Sequence, residues 1–307
     1  MRKLFRSRVV GATLLAFALV AAACGDDDSG GGSKDGPTIT VGSTNFGEQL
    51  ILGEIYAQVL ETNGYPVERA FNLGSREVVN PALKSGEIDL LAEYTGTLLT
   101  FEGGTSSTDS EQTHADLIDA IEDDGLVAFD YSPAQDKNGI VVTGNTAANL
   151  GLSKVSDLAA HNGTLAFGGP PECPNREFCL IGLQDVYGLD FAEFRPLDVG
   201  GPLTVAALEG GEIDVALLFT SDGVIAAKGF VLLEDDQNLQ PAENIVPVMN
   251  AETFDAYDDE LRDLLDEVSA AITTSELSEL NKRFGIDAED PDVLAADWLT
   301  ANGFIDG

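Results

Sequence analysis

An α/β fold of two similar lobes, joined by two crossing strands, is predicted here from three observations. The phrase Ala82-Leu83-Lys84-Ser85-Gly86-Glu87-Ile88-Asp89-Leu90 returns as Ala207-Leu208-Glu209-Gly210-Gly211-Glu212-Ile213-Asp214-Val215. Around each copy, strand and helix patterns alternate, which is the signature of a parallel sheet. The chain of 307 residues is long enough for two ordinary domains, each with its own core. Self-similarity at a fixed offset marks a supersecondary unit used twice, and two copies are too few for a solenoid. In this register Tyr94 falls on Phe219 and Thr95 on Thr220. Each lobe therefore offers an aromatic and a Thr at a strand end, where open α/β sheets bind ligands.

The first residues read as a targeting segment and stay outside the fold. Arg2, Lys3, Arg6 and Arg8 precede an apolar run from Val9 to Ala23 that is short for a membrane-spanning helix. Ala21-Ala22-Ala23-Cys24 resembles the bacterial lipobox, although Ala21 stands where such signals usually carry Leu. That resemblance implies a signal peptide at 1–23 and a lipidated Cys24; plain secretion with a free Cys24 is the alternative. Gly25-Asp26-Asp27-Asp28-Ser29 and Gly30-Gly31-Gly32-Ser33 have the composition of a flexible tether, placed at 24–37. The expected location is extracytoplasmic, at the cell membrane through a lipid anchor.

In the body, β-branched Thr38 to Gly42 reads as a strand. Phe46 to Thr62 has helical apolar spacing, and Gly64 suits the residue beyond the helix end. Val67 to Leu73 is a second strand. Ser75 caps a helix that Gly86 closes, and Ile88 to Ala92 is the third strand. The second lobe repeats this. Leu165 to Gly168, Phe194 to Val199 and Ile213 to Leu218 are its strands, with helices over Phe178 to Tyr187 and from Pro202 to Gly211. Gly139 to Thr143 and Asn244 to Val248 are taken as the crossings, with a hinge at their ends. The boundaries are 38–140 plus 245–307 for lobe 1 and 141–244 for lobe 2. Asp259 to Ile272 is amphipathic, Thr273 and Glu276 form a capping box, and Asp290-Pro291 opens a last helix carrying Trp298, read as core. These helices are expected to pack on lobe 1.

Sixteen basic residues against 53 acidic give a net charge of −37, which argues against nucleic-acid binding. Cys173 and Cys179, outside the cytosol, read first as a disulfide. No nearby Cys or His completes a zinc set, so no metal is expected. His114 and His161 sit in polar, loop-like stretches, and the chain lacks a nucleophile elbow, a Walker A loop and a zinc-protease pattern. No catalytic residue is assigned and no cofactor is expected. Strand ends with Ser, Thr, Asn and aromatics suit a binding cleft instead. Aromatic faces attract a quaternary ammonium, and helix N-termini attract an anion. Tyr94 and Phe219 could alternatively be plain core aromatics.

Three stretches carry a family resemblance. They are Val41 to Leu52, Gly86 to Thr97 with its Glu93-Tyr94-Thr95-Gly96, and Phe219-Thr220-Ser221-Asp222-Gly223. They resemble the substrate-binding proteins of ABC transporters for glycine betaine, choline and related quaternary amines. The likeness covers the body to Asp297-Trp298-Leu299 and Asn302-Gly303. It implies a two-lobed periplasmic-binding-protein fold of type II-like form that closes on a quaternary amine or related zwitterion. The partners it implies are a permease and, through it, a cytoplasmic ATPase, for a monomeric binding protein. Family members often cage the trimethylammonium in tyrosines. Tyr94 carries over, but Asn138 stands where relatives have an aromatic, and Pro241-Ala242-Glu243-Asn244 lacks their Tyr. The candidate site residues are Asn45, Phe46, Gln49, Ser75, Arg76, Glu93, Tyr94, Thr95, Tyr131, Asn138, Phe219, Thr220 and Asp222. Tyr94 and Phe219 are expected to face each other, with Ser75, Arg76 and Thr95 on the ligand's polar end. A binding protein for another small solute and an extracytoplasmic enzyme are the alternatives.

Overall fold

The repeated phrase builds the same local structure twice. In the computed structural model, which describes residues 34–257 and 259–306, the Asp89 carboxylate accepts the Thr40 N–H at 2.7 Å. The Asp214 carboxylate accepts the Ala166 N–H at 2.9 Å. In return the Asp89 and Asp214 N–H groups donate to Thr40 and Ala166. Each copy thus ties the end of a helix to the parallel strand beside it in its own sheet. Gly86 and Gly211 hold φ of 72° and 68°, left-handed turns that suit glycine after a helix. The signal peptide, Cys24 and the tether up to residue 33 lie outside the described residues.

Among the described residues the strands are β1 (Ile39–Gly42), β2 (Val67–Ala70), β3 (Leu90–Tyr94), β4 (Leu126–Ala128), β5 (Asn138–Thr143), β6 (Ala166–Gly169), β7 (Glu193–Pro196), β8 (Val215–Phe219), β9 (Phe230–Leu232) and β10 (Ile245–Asn250). They form two five-stranded sheets, ordered β2-β1-β3-β10-β4 and β7-β6-β8-β5-β9. In each, three parallel strands meet an antiparallel neighbour beside the strand that follows the repeat. Strands β3 and β8 begin two residues later than expected. The N–H groups of Ile88 and Ile213 go back to Ala82 and Ala207, closing the preceding helices instead of entering the sheet.

Two expectations are redrawn at the crossings. The strands expected to cross, β5 and β10, are each built into the middle of one sheet. The passage itself lies just before them, where residues 132–136 and 243–245 run antiparallel. Gln135 bridges Asn244, Ser132 N–H donates to Ile245, and Asp136 N–H donates to Glu243. A short pair of extended segments without a full sheet around it is the place where two lobes can rotate.

The C-terminal helices share a core with the first sheet. Leu261, Leu265, Leu294 and Trp298 pack in one cluster with Ile39, Ile51, Ile55 and Val59. Thr273 and Glu276 make the expected capping box. The helix Thr274–Gly285 also reaches the other lobe. A Cβ on Gly223 would stand 2.5 Å from Lys282 Cβ and 2.8 Å from the Ser278 carbonyl, so only glycine allows this approach. No helix among the described residues is long and apolar enough to cross a membrane.

Candidate functional site

Strands β3 and β8 deliver Tyr94 and Phe219 from opposite sheets. Phe46, in extended backbone at the start of the helix Gly47–Thr62, comes between them. The Phe46 ring lies 6.2 Å from Tyr94 and 5.0 Å from Phe219, stacked on both. The expected facing pair is therefore a row of three rings. It lines a cleft of ≈ 380 Å³ that takes residues from both lobes. Ring faces present negative potential and attract cations, most strongly where water is excluded.

Nine of the thirteen candidate residues line this cleft: Asn45, Phe46, Gln49, Ser75, Arg76, Glu93, Tyr94, Asn138 and Phe219. Thr95 and Thr220 do not; they clamp the crossings. Thr95 Oγ1 accepts the Asn244 N–H at 3.2 Å and donates to the Ala242 carbonyl. Thr220 Oγ1 accepts the Lys137 N–H at 2.8 Å. The repeat thus carries one hinge clamp per lobe, and a short Thr beside a passing backbone bonds it before it can reach a ligand. Tyr131 lies off the cleft, edge-on to His114 at 5.0 Å. Asp222 accepts the Phe219 N–H at 3.0 Å and so holds that ring's backbone rather than lining the cleft.

Beneath the rings is a polar hub that the sequence reading missed. Tyr94 Oη donates to Glu48 Oε1 at 2.7 Å. Ser221 Oγ and Asn281 Nδ2 both donate to Glu48 Oε2 at 2.6 Å. Glu48 thereby joins the end of β3, the loop after β8 and the helix Thr274–Gly285. Asp136, from the outward crossing, accepts the Ser221 N–H at 3.1 Å and lines the cleft. Burial raises the Glu48 carboxyl, against the lowering effect of its hydrogen bonds. Burial, then the charges of Glu48 and Asp222, hold Asp136 well above the ordinary carboxylate range. Burial also pushes Asp222 up to about 7.

Along one wall Arg76 donates to Glu93 through Nε at 3.1 Å and Nη2 at 2.6 Å. Glu243 stands near it, with Oε2 accepting the Thr97 N–H at 3.2 Å. Its Oε1 is buried with no hydrogen-bond partner. Burial, only partly offset by Arg76, pushes this carboxyl up to about 8. At the mouth, the Cys173–Cys179 disulfide closes a small loop on lobe 2. Its Arg176 pairs with Glu77 of the opposite lobe at 2.7 Å and lies over the Phe101 ring. Glu48 and Glu243 stand inside stretches compared above, but nothing in a linear pattern shows that a carboxylate is buried. Asn281 had no signal at all.

These acids set an expected pH dependence. Glu48, Asp136, Asp222 and Glu243 all bind protons more tightly folded than unfolded. The native state then holds more protons between the ordinary carboxylate range and about pH 8, so ligand-free stability falls as pH rises through that window. The melting temperature should be higher near pH 5.5 than near pH 8.5, and Glu243→Gln should flatten the upper part. A flat or rising profile would remove the claim that these carboxyls are raised.

Residues 37–301 match the OpuAC family, described as the substrate-binding domain of ABC-type glycine betaine transport system. The chain is 28% identical over 279 residues to the glycine betaine-binding protein YehZ of Escherichia coli, covering 87% of this chain and 91% of that one. It is also 28% identical to the carnitine transport binding protein OpuCC of Listeria monocytogenes, over 96% of both chains. Among solved structures, a glycine betaine/carnitine/choline ABC transporter protein superposes with a TM-score of 0.70 at 26% identity, covering 87% of this chain and 99% of that one.

Proposed function

The chain belongs to the OpuAC family of substrate-binding domains of ABC-type transport systems, and on that premise we propose that it captures a quaternary amine in the interlobe cleft. It is a solute-binding protein of an ABC importer and not an enzyme. The observation that carries the ligand class is the row Tyr94–Phe46–Phe219 at the meeting of the lobes. A cation that cannot donate hydrogen bonds gains little from water and much from ring faces. Arg76, Ser75, Gln49 and Asn138 supply the polar contacts beside it. The names of the relatives, which mention glycine betaine and carnitine, agree with this class.

The Arg176–Glu77 pair across the mouth and the Ser221–Glu48 bond beneath the rings are the contacts that hold the lobes closed over a bound ligand. In the same reading, the protein works as a monomer, tethered outside the cytoplasm by a lipid on Cys24. It hands its ligand to a permease driven by a cytoplasmic ATPase. Ligand binding to the native state alone raises stability by mass action, about 2.7 kcal/mol at a hundredfold excess over Kd. A thermal-shift screen of glycine betaine, choline, carnitine and ectoine should therefore give a clear rise for at least one quaternary amine. No rise with any of them, confirmed by calorimetry, would refute the ligand class. For the anchor, Cys24→Ser should move the protein from the membrane fraction to the soluble one, and an unchanged distribution would refute lipidation at that residue.

A further inference from the structure

Gly223 ends the stretch Phe219-Thr220-Ser221-Asp222-Gly223, yet it does not line the cleft. It is buried at the start of the short helix Gly223–Ala227, and what covers it is the opposite lobe. Helix Thr274–Gly285 is fixed in lobe 1 by Leu277 and Leu280, which belong to that core. One turn of this helix, Ser278 to Lys282, receives Ser221 and Gly223 together. Asn281 Nδ2 donates to the Ser221 hydroxyl at 3.1 Å and carbonyl at 3.4 Å. A Cβ on Gly223 would meet Lys282 Cβ at 2.5 Å, the Ser278 carbonyl at 2.8 Å and Lys282 Cα at 3.1 Å. All three atoms are backbone or bonded directly to it, so no change of rotamer relieves the contact. Lys282 turns the rest of its side chain to Glu279 at the surface.

This seat stands beside the passages between the lobes. Thr274 Oγ1 accepts the Gln135 N–H at 3.1 Å, and the Ile272 carbonyl accepts that of Ala134. On the lobe 2 side, the Asp222 N–H donates to the Phe219 carbonyl and its carboxylate accepts the Phe219 N–H. The helix Gly223–Ala227 is thereby tied to the end of β8. A contact near a hinge has a short lever arm, so a displacement there grows toward the mouth, where Arg176 meets Glu77. Close-packed seams respond by discrete shifts and not by gradual deformation. The return passage has a seat of the same kind. A Cβ on Gly96, which ends Glu93-Tyr94-Thr95-Gly96, would stand 2.5 Å from the Ala242 carbonyl and 2.7 Å from Pro241 Cγ. Both strand-end stretches thus finish in a glycine pressed against the hinge.

We propose that helix Thr274–Gly285 is the stop on which lobe 2 comes to rest, and that Gly223 sets the depth of closure. It is a positioning residue for ligand capture that lies outside the cleft, and Gly96 seats the return passage in the same way. The inference depends on capture between two lobes and not on the class of ligand. A side chain at 223 holds lobe 2 off its seat. Phe219 then stands away from Phe46, Glu48 loses its bond from Ser221, and a ligand held by the open form escapes sooner. The apparent affinity falls with the fraction of molecules able to close.

Calorimetry with choline and glycine betaine, together with small-angle X-ray scattering, tests this on the wild type, Gly223→Ala and Gly96→Ala. Gly223→Ala should bind whichever of the two ligands the wild type holds at least about tenfold more weakly. At saturating ligand its radius of gyration should exceed that of the liganded wild type. Its ligand-free melting temperature should move by no more than about 3 °C, since the lobes part instead of straining their cores. Adding Lys282→Gly removes the nearest atom and should restore part of the affinity. The same change should lower the melting temperature, because glycine inside a helix is unfavourable. Affinity and stability moving in opposite directions separates a stop from a merely structural role. Wild-type affinity and dimensions in Gly223→Ala would overturn the inference. So would a loss of affinity at unchanged dimensions, which places the effect on the Phe219 ring. Should neither ligand bind the wild type, the quaternary-amine reading fails and ligand-free scattering decides here: Gly223→Ala must be more expanded than wild type, and equal dimensions overturn the stop. Should Gly223→Ala not fold, Gly96→Ala is judged by the same affinity and dimensions.

Discussion

Replacing Tyr94 with alanine is expected to weaken quaternary-amine binding by about 2 kcal/mol, roughly thirtyfold in affinity. Tyr94 is one end of the three-ring row and lies buried at the cleft, where a cation contact is desolvated. The phenol is held protonated by burial, then by the neighbouring Glu48 charge, so its hydroxyl stays a donor to Glu48. Two losses are thus combined in the alanine variant, and Tyr94→Phe separates them. Phenylalanine keeps the ring face and forfeits only the hydroxyl. Its affinity should stay within about fivefold of wild type if the ring carries the cation. Calorimetry on both variants decides: equal losses would assign the effect to the hydroxyl, and no loss in Tyr94→Ala would end the cation-face argument.

The second large effect is expected at Glu48, which touches no ring face yet holds the lobes together. Glu48→Ala would leave Tyr94 Oη and Ser221 Oγ without their acceptor in a buried site, while Asn281 Nδ2 would keep only its longer bonds to Ser221 at 3.1 and 3.4 Å. Each orphaned group costs roughly 1–3 kcal/mol. The variant should therefore lose several times the stability lost at an exposed carboxylate, read as a drop in the urea midpoint. Glu48→Gln keeps one acceptor oxygen and should lose less. Because Ser221 comes from the opposite lobe, ligand affinity should fall with closure even where the fold survives. A Glu48→Ala protein with wild-type midpoint and wild-type affinity would show that the hub is incidental.

Much of the fold was legible because it is written in local terms. Gly86 and Gly211 announce helix ends that need left-handed backbone. Thr273 and Glu276 announce a cap, and the doubled Glu-Ile-Asp phrase announces a doubled unit. The roles of matched residues were less legible. Thr95 and Thr220 match as a pair in the repeat, but their hydroxyls turn to the passing crossings instead of the cleft. Tyr131 has a composition suited to a cage and a position that denies it, against His114.

By itself, the sequence determined two α/β lobes, the strand-end aromatics Tyr94 and Phe219, the Cys173–Cys179 link and the kinship to solute-binding proteins. The lobes, aromatics and link follow from periodicity, turn residues and residue spacing, which are properties of neighbours along the chain, and the kinship from the resemblance of three motifs to a known family. Only the tertiary structure decided that Phe46 stands between the two rings and that Glu48 is bonded from both lobes. Only it left Glu243 Oε1 buried without a hydrogen-bond partner. Burial of a charge and the meeting of residues far apart in sequence depend on how the lobes and the C-terminal helix pack. The free energy that sets them, desolvation against hydrogen bonding, is settled in three dimensions and has no one-dimensional signature.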